Sequence, residues 1–196
     1  MFLDLNRAWT KPRDSNGGGG KIDEDAVRGY LADRSIQSLT EPHNPLWTFS
    51  LSFYGLPGVA EACIRCQEEA AADVNLILFL LWQAGSGTSH NAESIATIDR
   101  TVSAWRREVI QPLRELSRLL KGRGVDLFRD AIKSCELDAE RLEQDALRVH
   151  AKPTGSEGSA EASRSSLTAY GTVLPSELPD AAVAVLVTTL RSMVET

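Results

Sequence analysis

Glu136, Glu140 and Glu143 stand at i, i+4 and i+7, a spacing that puts three carboxylates near one face if the segment is helical. Carboxylates on facing helices can hold a pair of metal ions, but such sites add a His three residues after a Glu, and no Glu in this chain is followed that way. Ion pairs are the simpler expectation. With a turn near residue 122, position 138 lies opposite position 107, so Arg106 and Arg107 come beside these acids, and each exposed pair contributes roughly 0–1 kcal/mol.

Asp73 and Asn75 flank the start of the most apolar run in the chain, Val74 to Trp82. Asp73 suits a helix N-cap. Asn75 is stranger there, because a buried amide without partners is costly and one with partners fixes geometry. A structural network is the main reading of Asn75. A small polar ligand site shared with Trp82, Trp105, Arg107 and Glu140 is the alternative, and Asp73, Glu136 and Glu143 complete the candidate set. No residue can be assigned a catalytic role, and neither a metal nor a cofactor is expected.

Three other features fall short of chemistry. Cys63 and Cys66 form C-x-x-C, but a redox pair belongs at a helix start, where the dipole lowers a thiol pKa, and these lie about two turns into a helix-like segment. A zinc site needs two more ligands, and Cys135, His43, His90 and His150 are scattered. The run Gly17 to Lys21 lacks the leading Gly and trailing Ser or Thr of a phosphate loop. Ser89 beside His90 is no nucleophile and base, since sequence neighbours rarely face each other.

The elements that must position these residues are helices. Asn44 and Pro45 open one from Leu46 to Tyr54; Gly55 ends it, and Pro57 opens another that runs to about Ala71. The run from Leu76 to Trp82 has no polar face, so its helix must be surrounded. Ile95, Ile98, Val102, Trp105, Val109, Pro112, Leu116 and Leu119 alternate steps of three and four, and so do Val125, Phe128, Ile132, Cys135, Ala139, Leu142, Ala146 and Val149. These predict two long helices joined at Lys121 to Gly124 as an antiparallel hairpin, with Pro112 kinking or dividing the first near Ile110.

The segment 46–63, Gln67, the Asp73-Val74-Asn75 run leading to Phe79 and Trp82, Trp105, the stretch 109–114, and Glu136, Glu140, Glu143 and Gln144 together resemble a family of small uncharacterised bacterial proteins, a domain of unknown function. The resemblance spans roughly 46–144. It implies an all-helical bacterial protein and gives no activity.

Composition sets the remaining bounds. The 196 residues carry 21 Lys and Arg against 27 Asp and Glu, a formal charge of −6, which argues against a nucleic-acid partner because such binding needs a basic face. No apolar run approaches the roughly 20 residues that cross a bilayer, so no membrane insertion is expected. Three cysteines and the absence of a signal-like start point to the cytoplasm. The expectation is an all-α helical bundle with a buried central helix and a long antiparallel helical hairpin: a disordered arm over 1–22, the bundle over 23–151 starting with a short helix at 23–33, a flexible linker over 152–178, and a loosely attached helix over 179–194. The leading functional expectation is a non-catalytic interaction protein binding another protein or its own copy; the alternative is a small-molecule-binding protein or enzyme at the polar site.

Overall fold

The computed structural model describes residues 44–195; the expected arm and the short helix at 23–33 lie outside them. All regular structure among the described residues is helical. Side-chain caps or a glycine set where the first three described helices begin. Helix α1, Pro45–Tyr54, is capped by Asn44, whose side chain accepts from the amides of Leu46 and Trp47. Helix α2, Val59–Ala70, follows Gly58, whose φ of 80° favours glycine. Helix α3, Val74–Gly85, is capped by Asp73 through the Asn75 amide.

Every residue from Leu76 to Leu81 is buried, and α3 packs against α1, α2 and three helices that follow it in the chain. With no polar face to offer water, it could be stable nowhere else. Each large aliphatic or aromatic side chain of the run contributes roughly 1.5–3 kcal/mol by leaving water.

The hairpin follows. Helix α4, Ala92–Trp105, starts on Asn91, which accepts from the Ser94 amide. It runs into a π-helical turn, Arg106–Ile110, and then α5, Gln111–Leu120. After a turn at Lys121 to Gly124, α6 returns as Asp126–Arg148. Pro112 cannot donate a backbone hydrogen bond, and the helix absorbs this just upstream, where the Gln111 amide bonds to Arg106 O.

The π turn inserts one extra residue and changes which face looks inward. Ile95, Ile98 and Val102 are buried as their spacing predicts, but Trp105, just before the turn, is exposed, and from the end of the turn onward the inner positions are Ile110, Ser117 and Leu120, while Leu119 is exposed. On α6, Ile132 and Ala139 face inward, yet Leu142 and Val149 are exposed and Glu143, Gln144 and Leu147 are buried instead. A strict seven-residue stripe drifts about 20° per heptad around a straight helix, and this half of α6 packs on α1 and α3, which present polar groups.

The stretch 152–178 is not a linker throughout. It holds α7, Ser159–Gly171, which packs on α3 and α4. Its inner residues Ala162, Ser163 and Ser166 are small, allowing close backbone approach without the apolar bulk that periodicity detects, and Leu167 and Tyr170 complete the face. The final helix α8, Asp180–Val194, is not loosely attached: Ala182, Leu186, Val187 and Leu190 are buried against α2, α3 and α7.

Residues 152–157 are tied to the end of α3 by backbone. The Gly155 amide donates to Ser86 O at 3.0 Å and the Glu157 amide to Gly87 O at 3.2 Å. A Cβ on Gly155 would collide with the Gly87 carbonyl, so this crossing requires glycine. Beside it, Gln83 Oε1 accepts from the Lys152 amide at 2.7 Å and lies 3.4 Å from His90 Nε2. Burial, and then the nearby Lys152 and His150, push the His90 imidazole down to about 4. A depressed imidazole contributes stability above its unfolded pKa of about 6.5, lost as pH falls towards about 4. The expected result is a melting temperature that drops across that window, with His90 still neutral by NMR at pH 5.5.

Candidate functional site

An open cleft of about 940 Å³ lies between α1, α2, the start of α3, the π turn, α5 and α6. Its walls are partly apolar, with Trp47, Leu51, Ile64 and Leu137 among them, and its floor is polar. The floor follows from local structure. The cap of α3 places Asp73 and Asn75 at the helix start, the π turn rotates Arg106 inward, and the drift of α6 brings Glu143 and Gln144 to meet them.

Asn75 is the hub. Its Nδ2 donates to Glu143 Oε2 at 2.7 Å, its Oδ1 accepts from Gln144 Nε2 at 2.9 Å, and Gln144 Oε1 accepts from the Ser50 hydroxyl at 3.1 Å. Arg106 Nη2 pairs with Asp73 Oδ2 and donates to Asp99 Oδ1 at 2.8 Å, while Arg106 Nε lies 3.5 Å from Glu143 Oε1. From α7, the Tyr170 hydroxyl accepts from the Asp73 amide at 2.9 Å. One guanidinium thus serves three carboxyl groups, of which Asp73 and Glu143 are buried and Asp99 is partly exposed.

That imbalance sets the protonation. Burial first, and then the Asp73 carboxylate, push Glu143 up to about 9, against the opposing pull of Asn75 and Arg106. Glu143 is therefore a neutral acid at pH 7. Burial works to lower the Arg106 pKa, but Asp73, Asp99 and Glu143 outweigh it and the guanidinium stays charged. Nearer the rim Arg114 donates to Glu136 Oε1 at 3.0 Å, Glu140 Oε1 at 2.6 Å and Gln67 Oε1 at 3.1 Å, joining α5, α6 and α2.

Of the sequence candidates, Asp73, Asn75, Glu136, Glu140 and Glu143 come together in this cleft. Trp82, Trp105 and Arg107 do not. Trp82 packs on Phe79 toward the other end of α3, with ring centroids 6.2 Å apart. Trp105 is turned outward, its indole donating to Ala139 O at 2.9 Å. Arg107 is exposed and bonds its neighbour Glu108; the extra residue of the π turn hands the inner position to Arg106. Glu136 and Glu140 do form ion pairs between the hairpin arms, with Arg114 as partner, and Glu143 lies 3.5 Å from Arg106. Arg114, Ser50 and Tyr170 were absent from the candidate set. An arginine eight residues after Arg106 was the available signal for Arg114, once the change of face is known.

Cys63 and Cys66 are buried, and burial pushes their thiols up to about 12 and about 11, the opposite of an activated pair. Among the described residues, no group of three or more His, Cys, Asp or Glu is arranged to hold a metal ion. No helix of the described residues is long and apolar enough to cross a membrane.

The protein is thus an all-α helical bundle with an acid-and-arginine cleft between its first two helices and its hairpin. Residues 45–147 match the family model described as Protein of unknown function (DUF2390), and the chain belongs to that family. The match runs from α1 to near the end of α6 and contains the whole lining of the cleft, while α7 and α8 follow it. No curated protein and no solved structure matches the chain.

Proposed function

We propose that this protein binds a small organic molecule in the cleft and performs no covalent chemistry of its own. The observation that carries this reading is the combination of volume and lining: about 940 Å³ is in the range of small-molecule sites, roughly 300–1,000 Å³, which pair apolar walls with a few fixed polar groups. Asn75, Gln144 and Arg106 are held by one another, so a ligand meets groups already in place and ordering them on binding costs little. The buried, unactivated thiols leave Cys63 and Cys66 to packing.

A protein-interaction role, including self-association, is the second reading. It is favoured by the exposed Leu142 and Val149 on α6 and Leu119 on α5, apolar side chains outside the core. We further place the protein in a bacterial cytoplasm, in keeping with the resemblance of residues 46–144 and with thiols at Cys63 and Cys66 that form no disulfide. Native mass spectrometry of freshly purified protein separates the two roles: the ligand reading expects a retained small-molecule mass on the monomer, lost on Asn75→Leu, whereas a dimer that carries no added mass favours self-association.

A further inference from the structure

Three of the large apolar side chains that the fold leaves in water border the same cleft: Leu51 of α1 is 57% exposed, Ile64 of α2 46% and Leu137 of α6 50%. Trp47 and Tyr54 are half-buried in the same lining. Exposed apolar side chains gathered around one depression mark an interaction surface. Between these walls Glu68, Glu115 and Arg118 are exposed and form no ion pair among the described residues, and the lining as a whole carries six acids against three arginines. A molecule that covers this rim must therefore bring apolar side chains together with an excess of positive charge.

Residues 2–13 of this chain have both: Phe2, Leu3, Leu5 and Trp9, with Arg7, Lys11 and Arg13 against Asp4 alone. The stretch 23–33 has the opposite sign, its acids opposed only by Arg28. The chain enters the described fold at Asn44, whose side chain caps α1 and donates to Asp145 of α6 at 2.6 Å, and Trp47, in the first turn of α1, already lines the cleft. Residues 14–43 tie the segment to that point, and at roughly 3.3–3.6 Å per residue they are more than long enough to bring it there. Tethering of this kind gives an effective concentration on the order of millimolar, so a weak contact suffices, whereas a second copy offers the same segment only at its bulk concentration. We propose that residues 2–13 of this chain seat on the cleft rim, their apolar side chains against Leu51, Ile64 and Leu137 and their cations facing Glu68 and Glu115. This goes beyond the small-molecule reading and does not rest on it: the segment covers the rim, and a small molecule bound at the polar floor would have to displace it.

The test uses the full chain and a carbodiimide, which joins a lysine to a carboxylate in contact with it, followed by digestion and mass spectrometry. Lys11 is expected to be joined to Glu68 or Glu115. In an equal mixture of isotope-labelled and unlabelled chains, the joined peptides are expected to come from one chain and not from two. The combined changes Phe2→Ser, Leu3→Ser, Leu5→Ser and Trp9→Ser should shift the Trp47 indole and the Ile64 and Leu137 methyl signals in NMR spectra and cut the Lys11 links about tenfold. Links between labelled and unlabelled chains put a second copy's segment on the rim and overturn the proposal. Links and NMR signals untouched by the serine changes overturn it as well, and so does a Lys11 joined to neither glutamate, which leaves the rim to a different molecule.

Discussion

Arg106→Ala is expected to lower the unfolding free energy by about 3–5 kcal/mol, the scale of removing one partner from a buried ion pair, whereas Arg107→Ala next to it should fall within about 0.5 kcal/mol of the parent. The two side chains are chemically identical and adjacent in sequence. What separates them is the π turn, which points Arg106 at Asp73, Asp99 and Glu143 and leaves Arg107 in solvent beside Glu108. Removing Arg106 strands the buried carboxyl groups of Asp73 and Glu143; removing Arg107 strands nothing. Urea denaturation of both variants measures the contrast. Equal losses would mean that the hairpin's first arm continues in its original phase and that the floor is assembled otherwise.

Asn75→Leu carries the second large effect. Asn75 Nδ2 and Oδ1 satisfy Glu143 and Gln144, both 1% exposed, and each buried polar group left without its partner costs about 1–3 kcal/mol. The leucine recovers part of this by its own burial, so a net loss of about 2–4 kcal/mol is expected by chemical denaturation. A variant as stable as the parent, or more so, would show that Asn75 is retained for what it binds and not for holding α3 to α6.

The sequence made the helices legible to different depths. The N-caps at Asn44, Asp73 and Asn91 stand where their residue types predict, and the run Leu76 to Leu81 is buried because no arrangement of six consecutive apolar positions gives a helix a wet face. Pro112 signalled a disturbance near Ile110. It did not say that the disturbance would insert a residue, and that single residue decided between Arg106 and Arg107. On α6 the apolar stripe through Leu142 and Val149 suggested the wrong inner face, because buried polar residues that satisfy one another look like surface residues in a sequence. Helix α7 escaped for a related reason: Ala, Ser and Gly pack closely but contribute no apolar period, so the segment resembled a linker.

Protonation of Glu143 joins the fold to the candidate site. In the unfolded chain this carboxyl releases its proton in the ordinary glutamate range, about 4.3; in the fold it holds the proton up to about 9. The stabilisation from the protonated form is complete below the unfolded value and lost as pH rises towards the folded one. The His90 effect has the opposite sign and acts below about 6.5, so the two together leave a stability maximum on the acid side of neutrality. The direct measurement is a carboxyl-carbon NMR titration of the full chain with Glu143 assigned by comparison with Glu143→Gln. A neutral Glu143 carboxyl persisting through pH 7 and ionising only in the alkaline range is the predicted result. Ionisation alongside the exposed glutamates would contradict a buried acid cluster outnumbering its arginine at the base of the cleft.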